Sequence, residues 1–183
     1  MKEKKAKQLL FPPRALAICA MLAAMSIVCG KYLAIPLGNV MRFSFENLPI
    51  IMAGMMFGAV AGALTGVVAD LFGCLLVGYT INPIVTLGAF SIGLVSGIFS
   101  KHVTVKSDIF KIILCVVPSH ILGSIVIKTF GLAAFYSMPF FMLMLWRALN
   151  YLIVAVAEIL VLHFISKNSY LKALLFTKDW RKL

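Results

Sequence analysis

Arg147 stands inside a run that otherwise reads as membrane, PFFMLMLWRALNYLIVAVAEILVLHFI over 139–165. A guanidinium at the bilayer centre costs about 2.5–3.5 kcal/mol on insertion scales, so it must face a protein interior, a partner or a ligand. Asn150 and Tyr151 follow at i+3 and i+4 and share its helix face. Glu158 returns to nearly that face, but roughly 16 Å further along the axis, too far to pair directly with Arg147. A polar stripe of this kind, with an arginine unpaired within its own helix, suits the capture of a polar, anionic solute. The competing explanation is a side chain that snorkels to the headgroups. The position of Arg147 well inside the apolar run argues against it.

Other residue groups extend this chemistry. Asp70 lies between Ala69 and Leu71, where an ionised carboxylate must be paired, ligated or functional. It could accept from the amidine-like edge of a ligand or pair with an interior arginine. His120, Ser124 and Lys128 recur every fourth residue and form a second polar stripe. The stretch MRFSFENLPI (41–50) sets Arg42, Ser44, Glu46 and Asn47 beside Phe43 and Phe45, the content expected of a lid or of an interfacial loop with aromatic anchors. GYTINP (78–83) offers Tyr79, Thr80 and Asn82 before Pro83, which is compatible with a helix start. In the first apolar segment, ALAICAMLAAMSIVCG, Ala20 and Ala24 are four apart, as are Ala15, Cys19 and Ala23. Small residues so spaced let another helix approach closely, either inside the bundle or from a partner.

The elements that must position these groups are helices in a bilayer. The chain has 183 residues, 62% hydrophobic and only 13% charged, with mean hydropathy +1.05. A soluble domain would carry about 25% charged residues. The expected architecture is all-α, a single six-span integral membrane domain over 1–183. A span needs about 20 apolar residues. Spans are expected at 11–30, 82–100, 108–130 and 138–165. The apolar run 48–77 is too long for one span, and is expected to break near 57–61 into a short second helix and a full third one. Gly54, Gly58, Gly62 and Gly66 recur through it. Residues 31–47 read as a long loop between helices 1 and 2. The basic N-terminal segment is read as leading into a retained span, since no small-residue cleavage site precedes a hydrophilic region.

Net charge is +11. Thirteen of the 17 Lys and Arg fall at the N-terminus (Lys2, Lys4, Lys5, Lys7, Arg14), in 101–111 (Lys101, Lys106, Lys111) and in the C-terminal tail (Lys167, Lys172, Lys178, Arg181, Lys182). Only six spans put all three on one side, so both termini are expected in the cytoplasm of a multi-pass cell-membrane protein. This distribution also speaks against nucleic acid as a partner. The remaining Lys31, Arg42, Lys128 and Arg147 then fall in the outer half or its loops, where surplus positive charge suits an anion. The four cysteines (Cys19, Cys29, Cys74, Cys115) lie in apolar segments without metal-ligand spacing, so no metal site is expected. There is no GxxxxGK[ST], HExxH or GxSxG, which disfavours an enzyme or a P-loop ATPase, and no cofactor is called for.

Together these features resemble the substrate-binding S component of energy-coupling factor (ECF) vitamin transporters. The stretch Arg42–Phe43–Ser44–Phe45–Glu46–Asn47–Leu48–Pro49–Ile50, followed by Gly54, Gly58, Gly62, Gly66 and Asp70, looks like the folate branch. Where folate-type proteins often show aromatic–Pro–Gly after the residue matching Gly78, this chain has Tyr79–Thr80–Ile81–Asn82–Pro83. The resemblance implies capture of a vitamin from outside, and association with a transmembrane coupling subunit and two cytoplasmic ATPases. It implies that Ala20 and Ala24 dock the coupling subunit. The residues agree in kind. Arg147, Arg42 and Lys128 suit folate's carboxylates. Asp70, Asn150 or Asn82 suits an aminopyrimidine edge, and Glu46 is a further ligand-binding candidate. Trp146, Tyr79, Tyr136, Phe43 and Phe45 are candidates to stack on its rings, with His120 a further polar candidate. The alternatives are a sister S component for a queuosine precursor or pantothenate, an intramembrane enzyme, or a structural subunit without a solute. Co-purifying pterin absorbance would separate the first reading from the rest.

Overall fold

The structure, a computed structural model, describes residues 12–37, 41–103, 105 and 107–176. Helix α1 (Pro13–Ile27) opens on Pro13, whose missing N–H costs nothing in a first turn. It continues through a π-helical turn, Val28–Tyr32. The expected loop then holds a small antiparallel hairpin, β1 (Ile35–Leu37) and β2 (Met41–Phe43), pairing Ile35 with Phe43 and Leu37 with Met41. This qualifies the all-α expectation. Helix α2 (Asn47–Phe57) is 11 residues long, and α3 (Ala59–Val77) follows directly. The break falls at Gly58, inside the expected interval, with φ +92°, a conformation that favours glycine.

Helix α4 (Pro83–His102) is capped by Asn82, whose side-chain oxygen accepts from the Ile84 and Val85 amides. One continuous 29-residue rod, Asp108–Tyr136, is built from α5 (Asp108–Ser119), a π segment (His120–Ile127) and α6 (Lys128–Tyr136). It outruns the expected 108–130. Pro118 lies just before the π segment. Proline there removes one helical hydrogen bond and disturbs the regular register. Among the described residues, helix α7 (Phe140–Ser166) is the longest single α-helix, and a short α8 (Ser169–Leu175), absent from the sequence reading, is the last element.

Among the described residues, five helical stretches are long and apolar enough to cross a membrane: Pro13–Tyr32, Ala59–Val77, Pro83–His102, Asp108–Tyr136 and Phe140–Ser166. Their outer faces carry Leu, Phe, Ile and Val side chains in the open, as lipid contact requires. Helix α2 is apolar all round and buried, with Ile50, Ile51, Ala53, Met55, Met56 and Phe57 in the core. At 1.5 Å per residue it reaches roughly 16 Å, about half of a 30 Å hydrocarbon core.

The alternation of helix directions puts one set of ends together. Lys101 donates to the Met56 carbonyl at 3.4 Å, beside the α2–α3 break. Lys111 sits 4.8 Å from the Phe176 ring, Lys172 pairs with Asp108, and Leu175 packs with Ala15. The described basic residues of the three charged segments thus share one end of the bundle. Lys2, Lys4, Lys5, Lys7, Lys106, Lys178, Arg181 and Lys182 lie outside the described residues.

Candidate functional site

At the other end, the shortness of α2 leaves room between the helices. Two cavities lie there. The inner one, about 110 Å³, is lined by Glu46, Asp70, Lys128, Arg147, Asn150 and Tyr151, among others. The outer one, about 330 Å³, is lined by Lys31, Asp70, Tyr79, Asn82, Tyr136 and Met138, among others. Lys31, Asp70, Val85 and Leu132 belong to both walls, so the two are compartments of one site.

Three of the charged side chains reach this space past a glycine. A Cβ on Gly30 would lie 2.8 Å from the Glu46 carboxylate, one on Gly73 2.9 Å from Lys31 Cε, and one on Gly88 2.5 Å from Lys128 Cγ. The Lys128 ammonium donates to Glu46 Oε1 at 2.8 Å and to Asn47 Oδ1 at 3.4 Å. Thr86 donates to Asp70 Oδ2 at 2.6 Å. Lys31 sits 5.5 Å from the Tyr79 ring centre, within cation–π range.

Arg147 differs from these. Its side chain, 8% exposed, donates through Nη2 to the Ser124 carbonyl at 3.1 Å and to the Tyr151 hydroxyl at 3.4 Å. Its Nε has no hydrogen-bond partner. Among the described residues no carboxylate lies within ion-pair distance of it. Glu158, already too distant along α7, is bonded to His120 at 2.6 Å. A buried guanidinium with spare donors, facing a cavity, has the geometry to hydrogen-bond an anion.

The sequence-predicted residues therefore divide. Arg147, Asn150, Glu46, Asp70 and Lys128 come together on the inner cavity, and Tyr79 and Asn82 on the outer. Asn82 is also committed structurally, since its amide donates to the Gly131 carbonyl at 2.9 Å while its oxygen caps α4. Phe43 stacks edge-on with Phe45, ring centres 5.6 Å apart, and lines neither cavity. The Arg42 side chain lies outside the described residues. His120 lies beneath the inner cavity and not on its wall. Trp146 is 50% exposed on the outer surface of α7 and lines neither compartment. Its immediate neighbour Arg147 points inward, and consecutive helix positions cannot share a face. Ala20 and Ala24 are exposed on α1, whereas Ala15 and Ala23 are buried in the bundle.

Sequence reasoning placed Tyr151 on the Arg147 face but named no role for it, and left out Lys31, Asn47, Ser124 and Glu158 as site members. Lys31 read equally well as an interfacial marker. Asn47, Ser124 and Glu158 join the network through contacts between helices, which spacing along one helix does not report.

The family model described as ECF transporter, substrate-specific component, matches residues 14–176. The chain belongs to this family. As an S component it has solved relatives in fold. The crystal structure of FolT bound with folic acid aligns with TM-score 0.70 at 23% identity, covering 86% of this chain and 95% of that one. The S component for biotin from an ECF-type ABC transporter aligns at 0.64 and 17% identity, covering 85% and 92%. A further S component of a bacterial ECF transporter aligns at 0.59 and 19%, covering 84% and 96%. No curated protein matches the sequence. The chain is thus a multi-pass membrane subunit of an ECF transporter that determines its substrate.

Proposed function

We propose that this S component binds folate, or a closely related anionic vitamin, in the two-compartment cavity, and delivers it to an ATP-driven importer. The observation that carries the reading is Arg147: buried, cavity-facing, and without a carboxylate in reach among the described residues. Folate supplies what such a site lacks, two carboxylates for cations and a flat ring system with an amide–amidine edge. Asp70 and Asn150 offer acceptors and a donor for that edge. Tyr79 and Tyr136 border the wider compartment as aromatic surfaces. The resemblance in fold to FolT bound with folic acid supports the same choice.

The membrane arrangement proposed is six spans in one domain, with α2 as the short one and both termini in the cytoplasm of a cell-membrane protein. Arg14, Lys101, Lys111, Lys167 and Lys172 at one end of the bundle support that orientation by the positive-inside rule. The cavity then opens outward. The partners are a transmembrane coupling subunit and two cytoplasmic ATPases. Ala20 and Ala24 present a low, exposed surface on α1. Ala20 borders an apolar groove of about 210 Å³ with Leu16, Leu64 and Val68, shaped for a helix to lie against.

The test is titration calorimetry of the purified protein with folic acid, with biotin as a competitor. Arg147→Ala should weaken folate binding more than tenfold, from the roughly 2–5 kcal/mol that a buried charged partner contributes. Arg147→Lys should restore only part, because a point charge does not replace a planar fork. A folded Arg147→Ala protein with unchanged folate affinity, or a wild type that binds biotin in preference, would sink the reading.

A further inference from the structure

The S component buries a second ionisable pair, which lines neither compartment of the site. His120 Nε2 and Glu158 Oε2 are 2.6 Å apart, with the two side chains almost wholly enclosed. Burying a carboxylate and an imidazole in a membrane bundle is costly unless they are paired. Glu158 Oε1 has no partner at all. Two apolar residues of like volume would pack there without that cost, so the pair calls for an explanation beyond packing.

Its contacts run in one direction. His120 Nδ1 lies 3.3 Å from Ser124 Oγ, which also accepts from Asn47 Nδ2 at 3.2 Å. The imidazole ring packs on the Tyr151 ring, centres 5.1 Å apart and planes inclined by 33°. Ser124 and Tyr151 are the two residues that hold the Arg147 guanidinium, one through its carbonyl and the other through its hydroxyl and ring face, 5.2 Å from the guanidinium carbon. Both supports of Arg147 therefore rest on His120, and His120 rests on Glu158. The segment carrying His120 and Ser124 is π-helical, a local distortion that proteins use to present side chains at functional sites.

The groups facing this pair are few. From α7 they are Arg147, Tyr151 and Glu158 itself; from α6, Lys128 through Asn47; from the start of α2, Glu46 beyond Asn47. Helix α4 packs Ile92 and Gly88 against Gly123, and its ionisable residues, Lys101 and His102, stand at its far end.

We propose that His120 and Glu158 are positioning residues for the ligand-binding guanidinium, holding Arg147 in register with the cavity through Ser124 and Tyr151. This rests on the reading of Arg147 as the anion receptor, and the experiment separates the two. Folic acid affinity is measured by calorimetry on the full-length protein for His120→Asn, Ser124→Ala, Glu158→Ala and Glu158→Gln, each also in an Arg147→Ala background, with the size-exclusion profile as the check on folding. His120→Asn and Glu158→Ala should each weaken binding roughly tenfold, as loss of one or two hydrogen bonds to a charged group would. Glu158→Gln keeps an acceptor for the imidazole and should recover most of the Glu158→Ala loss. Ser124→Ala, the mildest change to the fold, should cost a few-fold.

In the Arg147→Ala background the same changes should have no further effect, since their route to the ligand is gone. If Arg147→Ala binds as wild type does, the reading of the site fails, and the positioning role fails with it. If Arg147→Ala is weakened but the His120, Glu158 and Ser124 variants bind normally, or weaken binding equally with and without Arg147, the positioning inference alone is overturned.

Discussion

The two halves of this bundle are held together by different physics. Helices α2, α3 and α4 pack backbone to backbone. A Cβ on Gly54 would lie 2.6 Å from the Gly93 carbonyl, and one on Gly62 would lie 2.5 Å from the same oxygen. Only small residues permit that approach, and in a bilayer the resulting dispersion contacts replace the hydrophobic drive that lipid cannot supply. The second half, α5 to α7, is joined instead through Ser124, His120, Arg147 and Glu158, and Lys128 ties it to Glu46 and Asn47 at the start of α2. Close packing has no unmet valence left for a ligand. A polar network does, and here the spare donors of Arg147 face the cavity. The glycine-packed half is thus a close-packed frame that also lends Lys31, Asp70 and Tyr79 to the cavity walls, and the polar half brings Lys128 and Arg147 to them.

The sharpest way to break this contrast is on the outside of the frame. Ala20→Leu should abolish folate uptake in cells carrying the coupling subunit and ATPases, while calorimetry on the isolated protein stays unchanged. Ala20 is exposed on α1 and remote from both cavities, so a bulky residue obstructs a partner helix and not the ligand. A parallel loss of binding would show that the α1 stripe supports the pocket, and the division of labour would fall.

Within the polar half, Lys128→Ala leaves Glu46 and Asn47 without their shared donor. Breaking a buried pair costs about 3–5 kcal/mol, and somewhat less is expected here because Glu46 is partly exposed. Thermal unfolding in detergent should show a lower midpoint together with weakened folate binding. Lys128→Met should be no worse in stability, since it fills the channel beside Gly88 with apolar volume, yet it should still bind poorly. Equal binding by Lys128→Met and wild type would remove Lys128 from the site.

Within the frame, Gly62→Val should lower stability by about 1–3 kcal/mol or slightly more, the usual cost of forcing volume into a packed interface. Its folate affinity, measured below the unfolding midpoint, should change little. If affinity falls as far as it does for Lys128→Ala, the frame and the polar half are not separable.

How much of this was legible beforehand follows the same division. The frame announced itself, because glycine every fourth residue and the apolar run 48–77 are patterns along one chain. They placed a break near 57–61, which falls at Gly58 in the structure, and foretold the shortness of α2. Charge bias along the chain foretold which helix ends would gather. The polar stripe on α7 pointed to Arg147, Asn150 and Tyr151 by helical spacing alone. Spacing could not show that Glu158 would turn to His120, or that Asn47 would bridge Lys128 and Ser124, because those partners are 38, 81 and 77 residues apart. The hairpin was hidden in a mixed segment whose strands are only three residues long. The π segment was hidden too, since one altered hydrogen-bond register leaves no periodicity to read.

Trp146 gives the smallest expected effect and the cleanest check on that reasoning. Its ring is a natural candidate to stack on a pterin, and it is adjacent in sequence to Arg147. Successive residues on a helix point about 100° apart, and with Arg147 turned inward Trp146 is left half exposed on the outer face. Trp146→Ala should therefore shift folate affinity by no more than about twofold, the range of a surface substitution. Tyr79→Ala, on the wall of the outer compartment, should cost more in the same assay. A tenfold loss from Trp146→Ala, with Tyr79→Ala silent, would mean that the ligand meets the outer face of α7, and that recognition does not reside in the cavity between the two halves.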